Sequence, residues 1–511
     1  MEIGVILSNI FSFEVLFALV LGVTVAIIMG ALPGLSASMA VALLIPVTFG
    51  MNPIAGLVML TGVYTAAIYG GSITAILLHT PGTPSSAATA IDGYELAKKG
   101  EGFKAIGVAT ISSVIGGCIS AIALIFLSPP LAQISLKFSS LEYFFLALFG
   151  LTIIGSLAGD SMAKGLMGGV LGLFIGTVGL DQMSGIPRFT FGLLPLESGI
   201  SMVPAMIGMF SISQVMIITE DIIKGKSNIV SGDENLLKGR FLPTFKEFKS
   251  LLPTILKSSI LGVLVGILPG AGADIGAWLA YNEAKRTSKN PKEFGNGSLV
   301  GISASESANN AVTGGALIPL LTLGIPGSSV AAILLGGLMI QGLAPGHDLF
   351  EEYAGITYSV MFGFLLANII MGFIGYLISK QAVKISKVPM TILAPIIVAL
   401  STVGAFAIQN SLFDVYIMIA FGVIAYFMRK SGFGTAPTIL GIILAPMLEA
   451  NFRRALVLSK GNLVNYFFSR PISVVLFIMV IVALFAPMII KKVNNKLNIK
   501  DEASIDSKDI D

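Results

Sequence analysis

The stretch Val15–Met29, VLFALVLGVTVAIIM, carries no charged side chain. Apolar runs of this kind return at Leu141–Leu157, Ile200–Thr219, Ile392–Ile408 and Ile472–Ile490. About 20 apolar residues wound as a helix cover the hydrocarbon of a bilayer. In lipid every backbone polar group has to be satisfied within the protein, which favours helices over any open strand. The composition agrees: 55% of the 511 residues are hydrophobic and 12% are charged, against about 25% charged in a soluble domain. The 58 glycines and 23 prolines also suit membrane helices, which tolerate both. The chain therefore reads as an all-α polytopic membrane protein of about 10 to 13 spans or half-spans.

The longest polar interruption, Lys224–Ser250, contains Lys226, Asp233, Glu234, Lys238, Arg240, Lys246 and Glu247 and divides the chain almost equally. The same landmarks stand on either side of it. Gly30-Ala31-Leu32-Pro33-Gly34 matches Gly266-Ile267-Leu268-Pro269-Gly270, 236 positions later. Gly70-Gly71-Ser72 before Thr80-Pro81-Gly82 matches Gly314-Gly315-Ala316 before Ile325-Pro326-Gly327, 244 to 245 positions later. Extra polar residues around Arg286–Asn296 absorb the difference. Two landmarks in one order at nearly one spacing mark an internal repeat. The expected organisation is a first transmembrane repeat at 1–223, a cytoplasmic linker at 224–252, a second repeat at 253–492 and a polar, disordered tail at 493–511.

Charge placement orients the repeats. Loop Phe49–Pro53 is uncharged, whereas the loop after the second motif of the first half carries Lys98, Lys99 and Lys104. The second half reverses this: Lys285, Arg286, Lys289 and Lys292 follow its Leu-Pro-Gly, and Leu343–Tyr353 holds Asp348, Glu351 and Glu352 without a basic residue. Basic loops stay cytoplasmic, so equivalent loops face opposite sides, as in two inverted-topology repeats. The rule puts the N-terminus outside and the linker inside, with Lys380, Lys384, Lys387, Arg429 and Lys430 also inside. After Gly432, Arg453, Arg454, Lys460 and Arg470 fit no simple count.

A Pro-Gly pair inside an apolar run breaks a helix, because proline lacks a donor and glycine admits dihedrals that other residues avoid. The freed backbone has to face protein or a watery cavity. Small polar residues follow each break: Ser36 and Ser38; Thr83, Ser85 and Ser86; Asp274; Ser328 and Ser329. Helix N-termini there would suit carboxylates, and unwound carbonyls would suit Na⁺ or a proton carrier. The candidate substrate-binding residues are Gly34, Ser36, Pro81, Gly82, Thr83, Ser85, Gly270, Gly327 and Ser328. Ionisable residues at membrane depth are costly and are usually kept for function. Asp274 and Glu306 are thus candidate ion-coupling groups, with Asn309 and Asn310 as oxygen donors. Capping or loop exposure is the alternative for both acids. Asp92 and His79 are weaker candidates, and Glu283 and His347 read as exposed loop charges.

Other classes find little support. The net charge of +3, spread over loops, points to no nucleic-acid partner. Cys118, the sole cysteine, reads as a packing residue. The start Met1–Ile10 lacks the basic region of a cleavable signal peptide. No Walker-type phosphate loop or Cys/His metal cluster is present. A membrane aspartyl protease needs Gly-x-Gly-Asp, but Gly270-Ala271-Gly272-Ala273-Asp274 has one residue too many. An intramembrane hydrolase using Asp274 or Glu306 and an anion channel are the competing readings.

The pieces Gly30–Ser36, Tyr69–Ser72, Pro81–Tyr94, Leu268–Asp274, Glu306–Ala311 and Gly324–Gly327 together resemble the large permease subunit of the tripartite tricarboxylate transporters. The likeness covers most of Val15–Asn451. It implies a multi-pass permease of the prokaryotic plasma (inner) membrane, driven by an ion gradient and without catalytic activity. It also implies a small membrane subunit of about four helices and an extracytoplasmic solute-binding protein that delivers organic carboxylates. No cofactor is expected beyond Na⁺ or H⁺ as the coupling ion.

Overall fold

The computed structural model describes residues 3–32, 34–157, 161–181, 183–225, 240–270, 272–381 and 388–496. Among these, nine helices are long and apolar enough to cross a membrane, and five apolar helices are shorter. The strands among the described residues form one small antiparallel ribbon, Gly179–Leu180 with Pro187–Arg188. The all-α membrane architecture is as the apolar runs require.

The first half runs α1 (Ile3–Ile10), α2 (Phe13–Gly30), α3 (Ala37–Thr48), α4 (Pro53–Leu78), α5 (Ala87–Lys98), α6 (Gly102–Ser135), α7 (Ser140–Leu157), α8 (Met162–Ile175) and α9 (Met202–Ile223). The second runs α10 (Phe245–Ile267), α11 (Gly272–Thr287), α12 (Leu299–Leu323), α13 (Ser329–Ile340), α14 (Ala354–Ser379), α15 (Met390–Gln409), α16 (Leu412–Lys430), α17 (Thr435–Leu458) and α18 (Pro471–Lys496). Helix α10 starts inside the stretch expected as linker. The reason is a capping box, in which Thr244 and Glu247 each bond the other's backbone N–H. Linker residues 226–239, with Lys226, Asp233, Glu234 and Lys238, lie outside the described residues, as do Lys384, Lys387 and the tail from 497.

The breaks fall at the quoted motifs. Gly34 and Gly270 follow the Leu-Pro pairs with φ of +86° and +80°, the left-handed region that favours glycine. Helices α4 and α12 end on left-handed residues too, His79 and Gly324. Between these ends the same backbone contacts occur in both halves. A Cβ on Gly30 would lie 2.2 Å from the Ala67 carbonyl oxygen, and one on Gly266 2.6 Å from that of Val312. A Cβ on Gly70 would meet the Ile27 oxygen at 2.5 Å, and one on Gly315 the Val263 oxygen at 2.6 Å. Helix α2 thus packs backbone to backbone on α4, and α10 on α12.

The halves also interlock. Helix α4 packs on α14 while α12 packs on α6, and α8 packs on α17 while α9 packs on α16. At the centre Asn310 donates from Nδ2 to Thr65 Oγ1 at 2.9 Å. Thr65 and Asn310 stand at equivalent positions of the two halves, 245 apart.

Two of the four basic residues that defied the loop count, Arg453 and Arg470, are held in ion pairs. Arg453 lies 2.7 Å from Asp181 and 2.9 Å from Glu449, and Arg470 lies 2.6 Å from the buried Glu142.

Candidate functional site

Four broken segments meet at one cavity of about 400 Å³. Its walls are the start of α3 (Ser36, Ala37, Ser38), the 3-10 turn entering α5 (Thr83, Pro84, Ser85), the start of α11 (Gly272 to Ile275) and the start of α13 (Ser328, Ser329, Val330). Tyr64, Ile68 and Gly270 complete it. Local sequence explains why helices begin here. Ser36 Oγ accepts from Met39 N–H at 3.2 Å, and Ser328 Oγ accepts from Ala331 N–H at 3.1 Å. Both are N-caps, placed by the chain break before them. The Ser328 hydroxyl also shares a 2.8 Å hydrogen bond with the buried Tyr64 hydroxyl, which ties the cavity wall to α4.

Helix starts point unpaired N–H groups and partial positive charge into this space. Among the described residues the one acid on its wall is Asp274, in the first turn of α11 with its side chain open to the cavity. The equivalent first-half residue is Ser38, so the backbone pattern is shared while the charge is one-sided. Of the residues singled out from sequence, Ser36, Thr83, Ser85, Gly270, Ser328 and Asp274 are brought together here.

The others lie elsewhere. Gly82 and Gly327 are buried in helix crossings: a Cβ would sit 2.0 Å from the Gly30 oxygen in one case and 2.3 Å from the Gly266 oxygen in the other. Their lack of a side chain serves backbone packing. Pro81 precedes this crossing and is off the wall. Gly34 is exposed beside Gln214, also off the wall. Glu306, Asn309 and Asn310 are fully buried within α12 and do not line the cavity.

Asp92 is a fastener for the loop before α12. Its Oδ1 accepts from the backbone N–H groups of Gly295, Gly297 and Ser298 at 2.8 to 3.0 Å, and Oδ2 accepts from Tyr281 at 2.9 Å. His79 is an exposed helix cap edge-on to Tyr94. His347 lies 3.0 Å from Glu351, and Glu283 is paired with Lys257 and Arg286. Tyr64 was missed because nothing in an apolar helix marks which hydroxyl will reach a cavity.

A family profile described as "Tripartite tricarboxylate transporter TctA family" matches residues 16–440. The chain belongs to that family. It is similar to an uncharacterised 52.8 kDa protein in the TAR-I ttuC' 3' region of Agrobacterium vitis, with 36% identity over 452 residues, 88% of this chain and 89% of that protein. A second uncharacterised protein, in the TAR-II ttuC' 3' region of the same organism, is 36% identical over 212 residues, 42% of this chain and 87% of that protein. No solved structure matches the chain significantly.

As a member of the TctA family the protein is a membrane subunit for transport and not an enzyme, which sets aside the hydrolase reading. Asp274 faces the cavity, while Glu306 is enclosed away from it. A tripartite transporter implies partner subunits beside this large one.

Proposed function

We propose that this TctA-family subunit imports organic carboxylates, citrate-like or related, against their gradient at the expense of a Na⁺ or H⁺ gradient. The observation that carries this reading is the convergence of four helix starts on one cavity with hydroxyls on its wall. Several N–H groups and small hydroxyls facing one space suit a ligand with more than one carboxylate. Ser36, Thr83, Ser85 and Ser328, with the backbone at Gly270, hold the anion; Gly34, Pro81, Gly82 and Gly327 keep the broken segments in place. Asp274 on the same wall would repel an anion unless a cation stands between them. The coupling ion is assigned to Asp274, where it would offset that repulsion, or to Glu306, the other candidate acid at membrane depth, with Asn309 and Asn310 as oxygen donors.

The repeated backbone contacts, taken with the reversed loop charges, support two inverted repeats that rock about the cavity in alternating access. The membrane is the prokaryotic plasma (inner) membrane. The partners are a small membrane subunit of about four helices and an extracytoplasmic solute-binding protein.

The test is uptake of radiolabelled citrate and other di- and tricarboxylates into proteoliposomes containing this chain with its small subunit and binding protein. Accumulation above the external concentration, dependent on an imposed ion gradient and on the binding protein, is expected. Flux that only equalises concentrations and ignores the binding protein would favour an anion channel and refute the reading.

A further inference from the structure

Glu306 is 0% exposed, and among the described residues no Lys, Arg or His bears on its carboxylate. What surrounds it is oxygen. Thr89 on α5 donates from Oγ1 to Glu306 Oε1 at 2.5 Å, and Ser113 on α6 donates to Oε2 at 2.9 Å. Ser305 Oγ shares a 2.9 Å hydrogen bond with Thr89. Asn309, one turn along α12, is also 0% exposed, and its amide is close enough to bear on the Glu306 carboxylate. Yet among the described residues neither Oδ1 nor Nδ2 of Asn309 has a hydrogen-bond partner of proper geometry. A buried amide without partners costs free energy, and so does a buried carboxylate without a counter-charge. One positive charge among these oxygens offsets the carboxylate and gives the amide oxygen a partner.

We infer that Glu306, Thr89, Ser113 and the Asn309 amide oxygen form the site for a single positive charge, sodium or a proton, and that Asp274 is not that site. The inference rests on the transporter reading and narrows it from two acids to one. Its ligands span the halves of the chain, with Thr89 and Ser113 from the first and Glu306 and Asn309 from the second. Helix α5 links the site to the cavity, since Thr83 and Ser85 at its entry line the wall and Thr89 lies one turn further on. A charge bound at Glu306 holds α5 against α12 and so fixes that wall. Without it the carboxylate is left uncompensated and the junction of the halves is weakened, which couples the ion to the anion through one helix.

The titratable groups on the surrounding elements are Tyr64 and Tyr69 of α4; Asp92, Tyr94, Glu95 and Lys98 of α5; Lys104 and Cys118 of α6; Lys246, Glu247, Lys249 and Lys257 of α10; and Asp274, Tyr281, Glu283, Lys285 and Arg286 of α11. Tyr64 is bonded to Ser328, Tyr69 to Thr110, Asp92 to Tyr281, and Lys257 to Glu283. None of them bonds Glu306.

The experiment uses the purified full-length chain in detergent and needs no substrate. The melting temperature is measured against NaCl, with choline chloride holding ionic strength constant. The infrared band of a protonated carboxylic acid is recorded on the same samples. For sodium, the wild type is stabilised by NaCl, Glu306→Gln loses the response and Asp274→Asn keeps it. Ser113→Ala, which removes one ligand but no charge, is expected to raise the half-maximal NaCl concentration about tenfold, and it serves if Glu306→Gln does not fold. For a proton, NaCl has no effect, but the wild type shows a carboxylic-acid band that Glu306→Gln removes, Asp274→Asn leaves and Ser113→Ala shifts in frequency. The inference is overturned if neither signal appears, if either survives in Glu306→Gln, or if Ser113→Ala titrates and absorbs as the wild type does. A cation response in a chain that accumulates no carboxylate would leave this site standing and refute the transport reading instead.

Discussion

Placing a methyl group on Gly82 tests the packing that holds the cavity in shape. In Gly82→Ala the Cβ would lie 2.0 Å from the Gly30 carbonyl oxygen and 2.8 Å from the Gly71 Cα. Both obstacles are backbone, so no rotamer change relieves them, and the carbonyl has to retreat by roughly an ångström to reach ordinary contact. Overpacking of this kind costs about 1–3 kcal/mol. The upper end applies here, because Gly30 is itself pressed against Ala67 and Gly70. Gly327→Ala is its equivalent, with the Gly266 oxygen at 2.3 Å and the Ala316 Cα at 2.8 Å, and is expected to cost about as much. Gly355→Ala is the control: nothing lies within 4 Å of the added carbon, and the helix gains up to about 1 kcal/mol. The assay is thermal unfolding in detergent followed by size-exclusion of a fluorescent fusion. Gly82→Ala and Gly327→Ala should each lower Tm by several degrees, and Gly355→Ala should leave it level or raise it. Wild-type Tm in both crossing variants would refute the claim that these glycines are required by backbone contact.

Three further outcomes are expected. Asp92→Ala strips the partner from three backbone N–H groups, costing about 1–3 kcal/mol and opening the loop 288–297 to limited proteolysis; unchanged cleavage would count against its role as a fastener. In a Cys118→Ala background, cysteines at Gly50 and Asp348 should react with an impermeant thiol reagent from outside, and those at Gly100 and Ser288 should not. Labelling of Gly50 with Ser288, or of Gly100 with Asp348, from one side would refute the inverted repeat. Asp181 is held well below the usual carboxylate range by the N–H groups of Ser184 and Met183 and by Arg453. A depressed folded value means its stabilisation is complete above the ordinary Asp pKa of about 3.9 and is lost only as pH falls through the lower one. Proteolysis of the 179–199 loop should therefore stay constant from neutrality down to about pH 4, and an earlier rise would refute that ordering.

Much of this protein was legible along the chain because a bilayer restricts what a chain can do. A run such as Val15–Met29 has no alternative to a helix in lipid, and a Leu-Pro-Gly within such runs has to break it, which the left-handed Gly34 and Gly270 do. Local chemistry also announced the helix starts, since Ser36 and Ser328 cap the segments that follow them. Sequence could not separate a glycine that opens a site from one that closes a crossing. Gly270 lines the cavity while Gly327 fills a helix contact, and only the neighbouring chain distinguishes them. Nor could it divide Asp274 from Glu306, or show that Thr89 and Ser113 reach Glu306 across more than 190 positions. Hydropathy and helix breaks are properties of a segment and its solvent. Which hydroxyl meets which carboxylate depends on how two halves of one chain interlock, and that is decided only once they pack.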